Sequence, residues 1–451
     1  MAASEHGAPI KNNIMNFTID KQSQDELNLP GKFRQGSVYY LFNTVKTRGG
    51  EQLLDELFKN PLTDETIINQ RTAIFRFFQE ASLQFPFDVQ QVTLMREYTD
   101  AGNGSSLPAT YLNTILKKTL SALTRDERYK AMIQGLQATI VTLKKCYVFA
   151  SELEALGGPY AGRIASIKNI LSSSSLQELL NVDIYQSISL NAIARYDHLL
   201  RSRLNQPISE IIRFIAEADV YIAVGNTAAA KGFAYAKALP RDTNILKAVD
   251  LRHPCIDHAI GNDIDMKAGS NVIFLTGANM AGKSTWMKSI GIAMYLAHIG
   301  FPIAARSMEF SVRHGIYSSI NVADNIGLGY SHFYAEVVRV KNAADATATG
   351  KHLLLMFDEL FKGTNVKDAY DGTLAVTEAF AEYRNCLFIV STHIIEVGEA
   401  LKELNNVQFT FMPTVMKGMV PQYTYKLENG ITEDRQGMMI IRNEGILELL
   451  T

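Results

Sequence analysis

Three cysteines in 451 residues, Cys146, Cys255 and Cys386, are too few and too scattered for a disulfide frame or a zinc cage. That usage points to a reducing compartment. Charge of one sign is also missing. Lys and Arg number 44 against 46 Asp and Glu, so no global positive field advertises nucleic acid or a membrane. Any phosphate-binding surface must then be a local patch. A long apolar run is absent too. The most apolar stretch, residues 290–305, contains His298 and Pro302 and falls short of a bilayer span. Residues 1–11 lack the apolar core of a signal peptide. A soluble protein located in the cytoplasm, with no membrane partner, is the expectation. The length exceeds one ordinary hydrophobic core and predicts two or three domains.

The first 34 residues are polar and irregular and read as a flexible tail. Helical periodicity then dominates. Leu53, Leu54, Leu57 and Phe58 share one face, and Ile67, Ile68, Ile74, Phe75 and Phe78 continue the pattern. Asp64 reads as a helix N-cap, with Pro61 just upstream. Further helices are predicted over about 108–124, 127–156, 163–181, 190–204 and 207–238. The character changes near Leu239 and Pro240. Short apolar runs at 272–275, 315–320, 353–357 and 387–390 alternate with helical stretches, the pattern of a largely parallel sheet covered on both faces. An all-helical domain over 35–240 followed by an α/β domain over 241–451 is the predicted organisation.

Chemistry enters at Gly277-Ala278-Asn279-Met280-Ala281-Gly282-Lys283-Ser284, which fits G-x-x-x-x-G-K-[S/T]. A buried strand feeds the loop and an apolar helix beginning near Thr285 leaves it. Loop amides and the helix dipole therefore point together at an anion. In this reading Lys283 neutralises the β- and γ-phosphates of ATP or GTP, and the Ser284 hydroxyl holds Mg²⁺. Seventy-five residues after Lys283, an apolar strand ends in Asp358-Glu359. Asp358 is placed for the Mg²⁺ shell and Glu359 to orient or activate the attacking water, which favours hydrolysis over transfer to a second substrate. A third strand ends in Ser391-Thr392-His393. His393 reads either as a structural histidine or, at the carboxyl end of a strand in the same sheet, as a γ-phosphate sensor.

These residues resemble the MutS family of mismatch-repair and recombination ATPases, relatives of the ABC-type ATPases. The run from Leu275 to Thr285 is similar to that family's TGPNMGGKST, with Asn279-Met280 as its specific part. Arg252-His253-Pro254 lies where the family has RHP. The stretch from Gly300 to Glu336 looks like its linker and signature segment, with Asp324 and Ser331-His332-Phe333 at the characteristic positions. Asp358-Glu359 with Gly363-Thr364-Asn365 resembles the family's DE…GT segment, and His393 its switch histidine. Resemblance extends into the helical half through Gly49-Gly50, Asn60-Pro61-Leu62 and Glu217-Ala218-Asp219.

The resemblance implies an ABC-type P-loop ATPase domain preceded by an all-α core and lever domain. It also implies a head-to-tail homodimer in which Ser331 of one subunit touches the γ-phosphate held by the other, and an action on DNA, with nucleoid association. Departures accompany it. About 35 residues precede the core, too few for a mismatch-reading domain, so mismatch reading itself is not expected. Residues 35–240 are too short for core, lever and a full clamp together, and residues 365–370 are extra. Ala259 or Ile260, near His258 and Asn262, stands where the family stacks an aromatic on adenine. Between residues 106 and 205 there are 12 Lys and Arg against 7 Asp and Glu, which is either a DNA-facing patch or a solvated helix surface. Two functions remain open: a dimerising DNA-binding ATPase, or a regulatory scaffold of the same fold binding protein or RNA through its helices. A transporter cassette fits poorly, because Gly329-Tyr330-Ser331-His332-Phe333 replaces the Leu-Ser-Gly-Gly-Gln signature.

Overall fold

Uninterrupted runs of Val, Ile, Leu and Phe can be buried on both faces, and here such runs build one sheet. The computed structural model describes residues 16–101, 106–124, 127–184, 186, 188–320, 332–417 and 420–432. Its main sheet has seven strands: β1 (Thr18–Ile19), β2 (Val272–Gly277), β3 (Gly315–Ser319), β4 (Leu353–Asp358), β5 (Leu387–Ser391), β6 (Val407–Met412) and β7 (Glu428–Asn429). Their order is β1-β3-β4-β5-β2-β6-β7. Every pair is parallel except the last.

Side chains alternate across the sheet. Phe274, Leu355, Phe357, Phe388 and Val390 belong to one core with Val340, Ala343, Phe380 and Ala381. The Phe380 ring stacks on Phe357 and Phe388 at 5.5 and 4.9 Å. On the other face, helix α1 (Lys283–His298) brings Gly291 so close that an added Cβ would lie 2.7 Å from both Leu27 and Met356. Helices α2 (His332–Ala348) and α3 (Val366–Ala381) complete the layers around the sheet.

Two compact units divide the chain, and they are not consecutive in sequence. One comprises residues 1–41, 60–72 and 231–451; the other comprises 42–59 and 73–230. The second unit is helical. Its long helices Arg128–Leu156 and Asn205–Lys231 share a core with Phe78, Tyr98, Phe149, Tyr160 and Phe214. Two buried carboxylates there are hydrogen-bonded: Glu217 accepts from the Tyr160 hydroxyl at 2.6 Å and from Arg163 Nε at 3.0 Å. Asp219 accepts from the Lys46 and Thr47 amides and the Thr47 hydroxyl.

Several expectations change. The tail does not run to residue 34: β1 pairs with β3, Asp20 caps the helix Lys21–Glu26, and Leu27 and Leu29 are buried. Four apolar residues spread over 17–29 make too short a pattern to announce a sheet-edge strand. The helix expected at 163–181 is two, Ala161–Leu171 and Ser174–Leu180, broken at the serine cluster. That at 190–204 is Leu190–His198 followed by a π-helical turn, Leu199–Arg203. The last helix stops at Lys231 because Gly232 takes φ 63°, and the strand segments Ala234–Tyr235 and Lys237–Leu239 follow. Among the described residues no helix is long and apolar enough to cross a membrane.

His298, at the end of α1, is completely buried between Phe17 and Phe310. It bonds the Met294 carbonyl through Nδ1 and takes the Arg313 amide on Nε2. Burial pushes its pKa down to about 4, so the neutral ring is the folded form. An unfolded histidine titrates near 6.5, so the stabilisation is complete above that value and is lost as pH falls towards 4. Denaturant unfolding at pH 7 and pH 5 should differ by about 2 kcal/mol through this residue. His298→Gln should remove that part of the pH dependence.

Candidate functional site

Parallel strands end on the same side, so the loops after β2, β4 and β5 meet there. Gly277 closes β2 with φ 138°, and a Cβ on it would lie 2.9 Å from the Met412 carbonyl oxygen. Gly282 takes φ 104°, and a Cβ there would lie 2.9 Å from the Tyr425 ring. Only glycine fits both places. Between them Ala278 and Ala281 close a turn, Ala281 N donating to Ala278 O at 3.2 Å, while Asn279 and Met280 are exposed. Lys283 begins α1 and folds back, its Nζ 2.8 Å from Gly277 O and 3.1 Å from Ala278 O. Burial lowers its pKa, while Asp358 and Glu359 act in the opposite direction.

Ser284 follows, and its hydroxyl donates to Asp358 Oδ2 at 2.5 Å. Thr285 is exposed on the same turn. Burial raises the Asp358 pKa, opposed by the Ser284 and Ser391 hydroxyls and by Lys283. Asp358 Oδ1 is buried without a well-formed hydrogen bond. A hydroxyl beside a carboxylate with an unsatisfied buried oxygen is an oxygen donor set suited to a hard divalent cation such as Mg²⁺. Glu359 leaves the strand with φ 55°, its amide bonded to Ser391 O at 2.8 Å. Its carboxylate lies 3.9 Å from Lys362 Nζ and 4.0 Å from His393 Nδ1. His393 itself is largely exposed.

A cavity of about 570 Å³ opens beside the loop. Asn279, Met280, Lys283, Ser284, Thr285 and Glu359 line it, as do Ile256, His258, Ile260 and Asn262 from the segment after Arg252-His253-Pro254. His258, Met280, Glu359 and Tyr425 are four of the nine described non-glycine residues with positive φ, and all four line this cavity. Such strain concentrates where side chains are held for function.

Residues 273–449 match MutS domain V. Curated relatives include the DNA mismatch repair protein spellchecker 1 of Drosophila melanogaster, 28% identical over 244 residues, covering 52% of this chain and 26% of that protein. The DNA mismatch repair protein MutS of Anaplasma phagocytophilum is 31% identical over 207 residues, 45% of this chain and 25% of its own length. That of Lactococcus lactis subsp. cremoris is 24% identical over 345 residues, 73% of this chain and 41% of its own. Residues 273–449 are thus similar to a domain of the MutS family. The chain spans 25–41% of the length of these relatives.

Within the matched residues the loop 277–285, Asp358, Glu359 and His393 come together. Ser331 and Asp324 lie outside the described residues. Phe333, just beyond them, is described: its backbone nitrogen lies 3.0 Å from where a Cβ on Gly363 would stand, which brings the start of α2 against the Gly363-Thr364 turn. Tyr425 and Trp286 also line the cavity, and neither was expected. Trp286 sits on α1 three residues after Lys283, a helical step that places it beside the loop. Tyr425 is 148 residues downstream of Gly277 and has no local motif. Asn262 brings it in by donating to Tyr425 O and accepting from the Leu427 amide, both at 2.9 Å.

Because burial raises the Asp358 pKa above 3.8, its ionised form is disfavoured in the fold, and stability falls as pH rises through that raised value. Asp358→Asn should therefore raise the melting temperature at pH 7 without Mg²⁺ or nucleotide by roughly 2–4 °C. It should also abolish any Mg²⁺ dependence of nucleotide binding, measured by thermal unfolding and calorimetry.

Proposed function

We propose that the chain is a Mg²⁺-dependent ATPase of MutS type, carried on an ABC-type P-loop domain over about 241–451. A helical core and lever region stands before it. The convergence of Lys283, Ser284, Asp358, Glu359 and His393 at neighbouring strand ends supports this reading most directly. ATP phosphates lie against the amides of residues 278–285, and Lys283 moves from the loop carbonyls to the β- and γ-phosphates. Ser284 and Asp358 would hold Mg²⁺, which when bound would neutralise charge on the phosphate oxygens. Glu359 orients the attacking water and accepts its proton, and His393, 4.0 Å from Glu359, senses the γ-phosphate. Tyr425 offers the stacking face for the base that Ala259 and Ile260 do not. Two copies pair through these domains, with Ser331 completing the partner's site.

Glu359→Gln should keep ATP binding within about threefold yet lower turnover by about 10²-fold or more, since the positioned base is lost. ATP should hold this variant as a dimer in sedimentation. Lys283→Ala should lose nucleotide binding. Normal turnover in Glu359→Gln would sink the assignment of the base.

The ATPase cycle acts on DNA in repair or recombination. One observation favours the scaffold reading instead: many helical-unit cations are engaged internally. Lys144 and Lys145 bond the Val182 and Pro86 carbonyls, Arg195 pairs with Glu178 and Arg201 with Asp197. Gel-shift titration of duplex and branched DNA at about 50 mM salt, with and without ATP, separates the two. DNA-driven action predicts binding that weakens steeply with salt; no shift at low salt leaves the protein- or RNA-binding scaffold.

A further inference from the structure

Residues 18–27 lie at the edge of the main sheet, and a polar network fastens them there. β1 runs beside β3, with Thr18 opposite Gly315 and Ile19 opposite Ile316. A Cβ on Gly315 would stand 2.1 Å from the Thr18 carbonyl oxygen, so only glycine admits so close a strand. Three groups then converge on Ser318, near the end of β3. Its amide donates to Ser23 Oγ at 2.9 Å and its hydroxyl to Glu26 Oε2. Its carbonyl accepts from Arg339 Nε at 3.0 Å. Ser23 and Ser318 are completely buried, and Glu26 and Arg339 are only 8% and 7% exposed.

Arg339 ties this network to α2. Its guanidinium lies 4.0 Å over the Tyr317 ring and donates to Ser23 Oγ at 2.8 Å. It also forks onto both oxygens of Asp20, with Nη2 at 3.1 Å from Oδ1 and Nη1 on Oδ2. Asp20 is both its counter-charge and the N-cap of Lys21–Glu26. Taking such charges out of water is costly, and well-packed apolar residues hold an edge without that cost. A satisfied polar network adds a rigid, directional register.

What the network fixes lies beside the two acids of the P-loop site. β4 stands between β3 and β5. Ser318 is opposite Met356 and Ser319 opposite Phe357, so the next residues along the two strands are Ile320 and Asp358. Glu26 Oε2 accepts from the Ile320 amide at 3.0 Å, which holds β3 at that level. On α2, six residues before Arg339, Phe333 meets the loop that follows Glu359. Its ring lies 6.1 Å from that of Phe361, and its backbone adjoins Gly363. The strand and the helix that flank the acids are therefore held by the same few side chains.

We propose that residues 18–27 are a strap that positions β3 and α2 for ATP hydrolysis, with Asp20, Glu26 and Arg339 as positioning residues. None of the three lines the nucleotide cavity. They act through Ile320 and the contact of Phe333 with Gly363 on the placement of Asp358 and Glu359. This rests on the Mg²⁺-ATPase reading of that site.

The full chain carrying Glu26→Gln or Asp20→Asn tests the strap. Each replacement keeps the shape and removes one charge, and asparagine still caps a helix. Turnover should fall about tenfold or more while ATP affinity stays within about threefold, because the acids are misplaced and the loop 277–285 is not. A strap that only adds stability would lower the melting temperature and leave turnover, measured well below it, unchanged. Hydrogen–deuterium exchange is the second readout. Amides of residues 359–364 should exchange about threefold faster or more in both variants, and those of 277–285 at the original rate. If the unaltered chain hydrolyses no ATP, the ATPase reading fails and exchange at 359–364 decides the strap by itself. Unaltered exchange there, or turnover equal to that of an active unaltered chain, in every variant that folds overturns the proposal.

Discussion

The hydrogen bond from Ser284 Oγ to Asp358 Oδ2 joins groups that leave strands two positions apart, with β5 between them. At about 4.8 Å per strand, those strands are separated by roughly 10 Å, and two side chains must reach across the end of β5 to touch. That is possible only if β2, β5 and β4 run parallel and stop level with one another. The pairing of Asp358 with Ser391 and of Ser391 with Leu275 sets that level. Buried apolar faces hold the register, because a slip of one residue would turn Phe357, Phe388 and Phe274 out of their common core.

The same arrangement creates the site's electrostatics. An apolar sheet brings Lys283 and Asp358 out of water, so burial lowers one pKa and raises the other. Each is partly compensated: Lys283 by two loop carbonyls, Asp358 by the Ser284 hydroxyl. Neither partner is a full counter-charge. A phosphate and a divalent cation offer both groups better partners than the fold does, which is a physical reason for affinity at this place. Backbone strain at Met280, Glu359 and Tyr425 fits the same account, since left-handed conformations at non-glycine residues persist where surrounding contacts over-determine them.

The helical unit follows a different rule. Its core is built from long helices rich in aromatic side chains, and buried Glu217 is paired with Arg163 while buried Asp219 is held by the Lys46 and Thr47 amides. Against that background the helix Leu107–Thr124 is the exception, with leucines outward and threonines inward.

Local spacing alone determined much. Two glycines, a lysine and a serine within eight residues, an apolar run ending in two acids, and Thr392-His393 after a third run were legible because strand, tight turn and helix N-terminus are short-range structures. The alternation of buried strands and helices after residue 240 predicted a mostly parallel sheet for the same reason. Tertiary structure decided what lies far apart in the chain. It folded residues 16–29 into the sheet unit, moved 60–72 away from their sequence neighbours, and brought Tyr425 to the loop through Asn262. These placements rest on single strand pairs and hydrogen bonds between segments more than a hundred residues apart. Periodicity within a window of a dozen residues carries no information about such partners, because the free energy that selects them belongs to the assembled core.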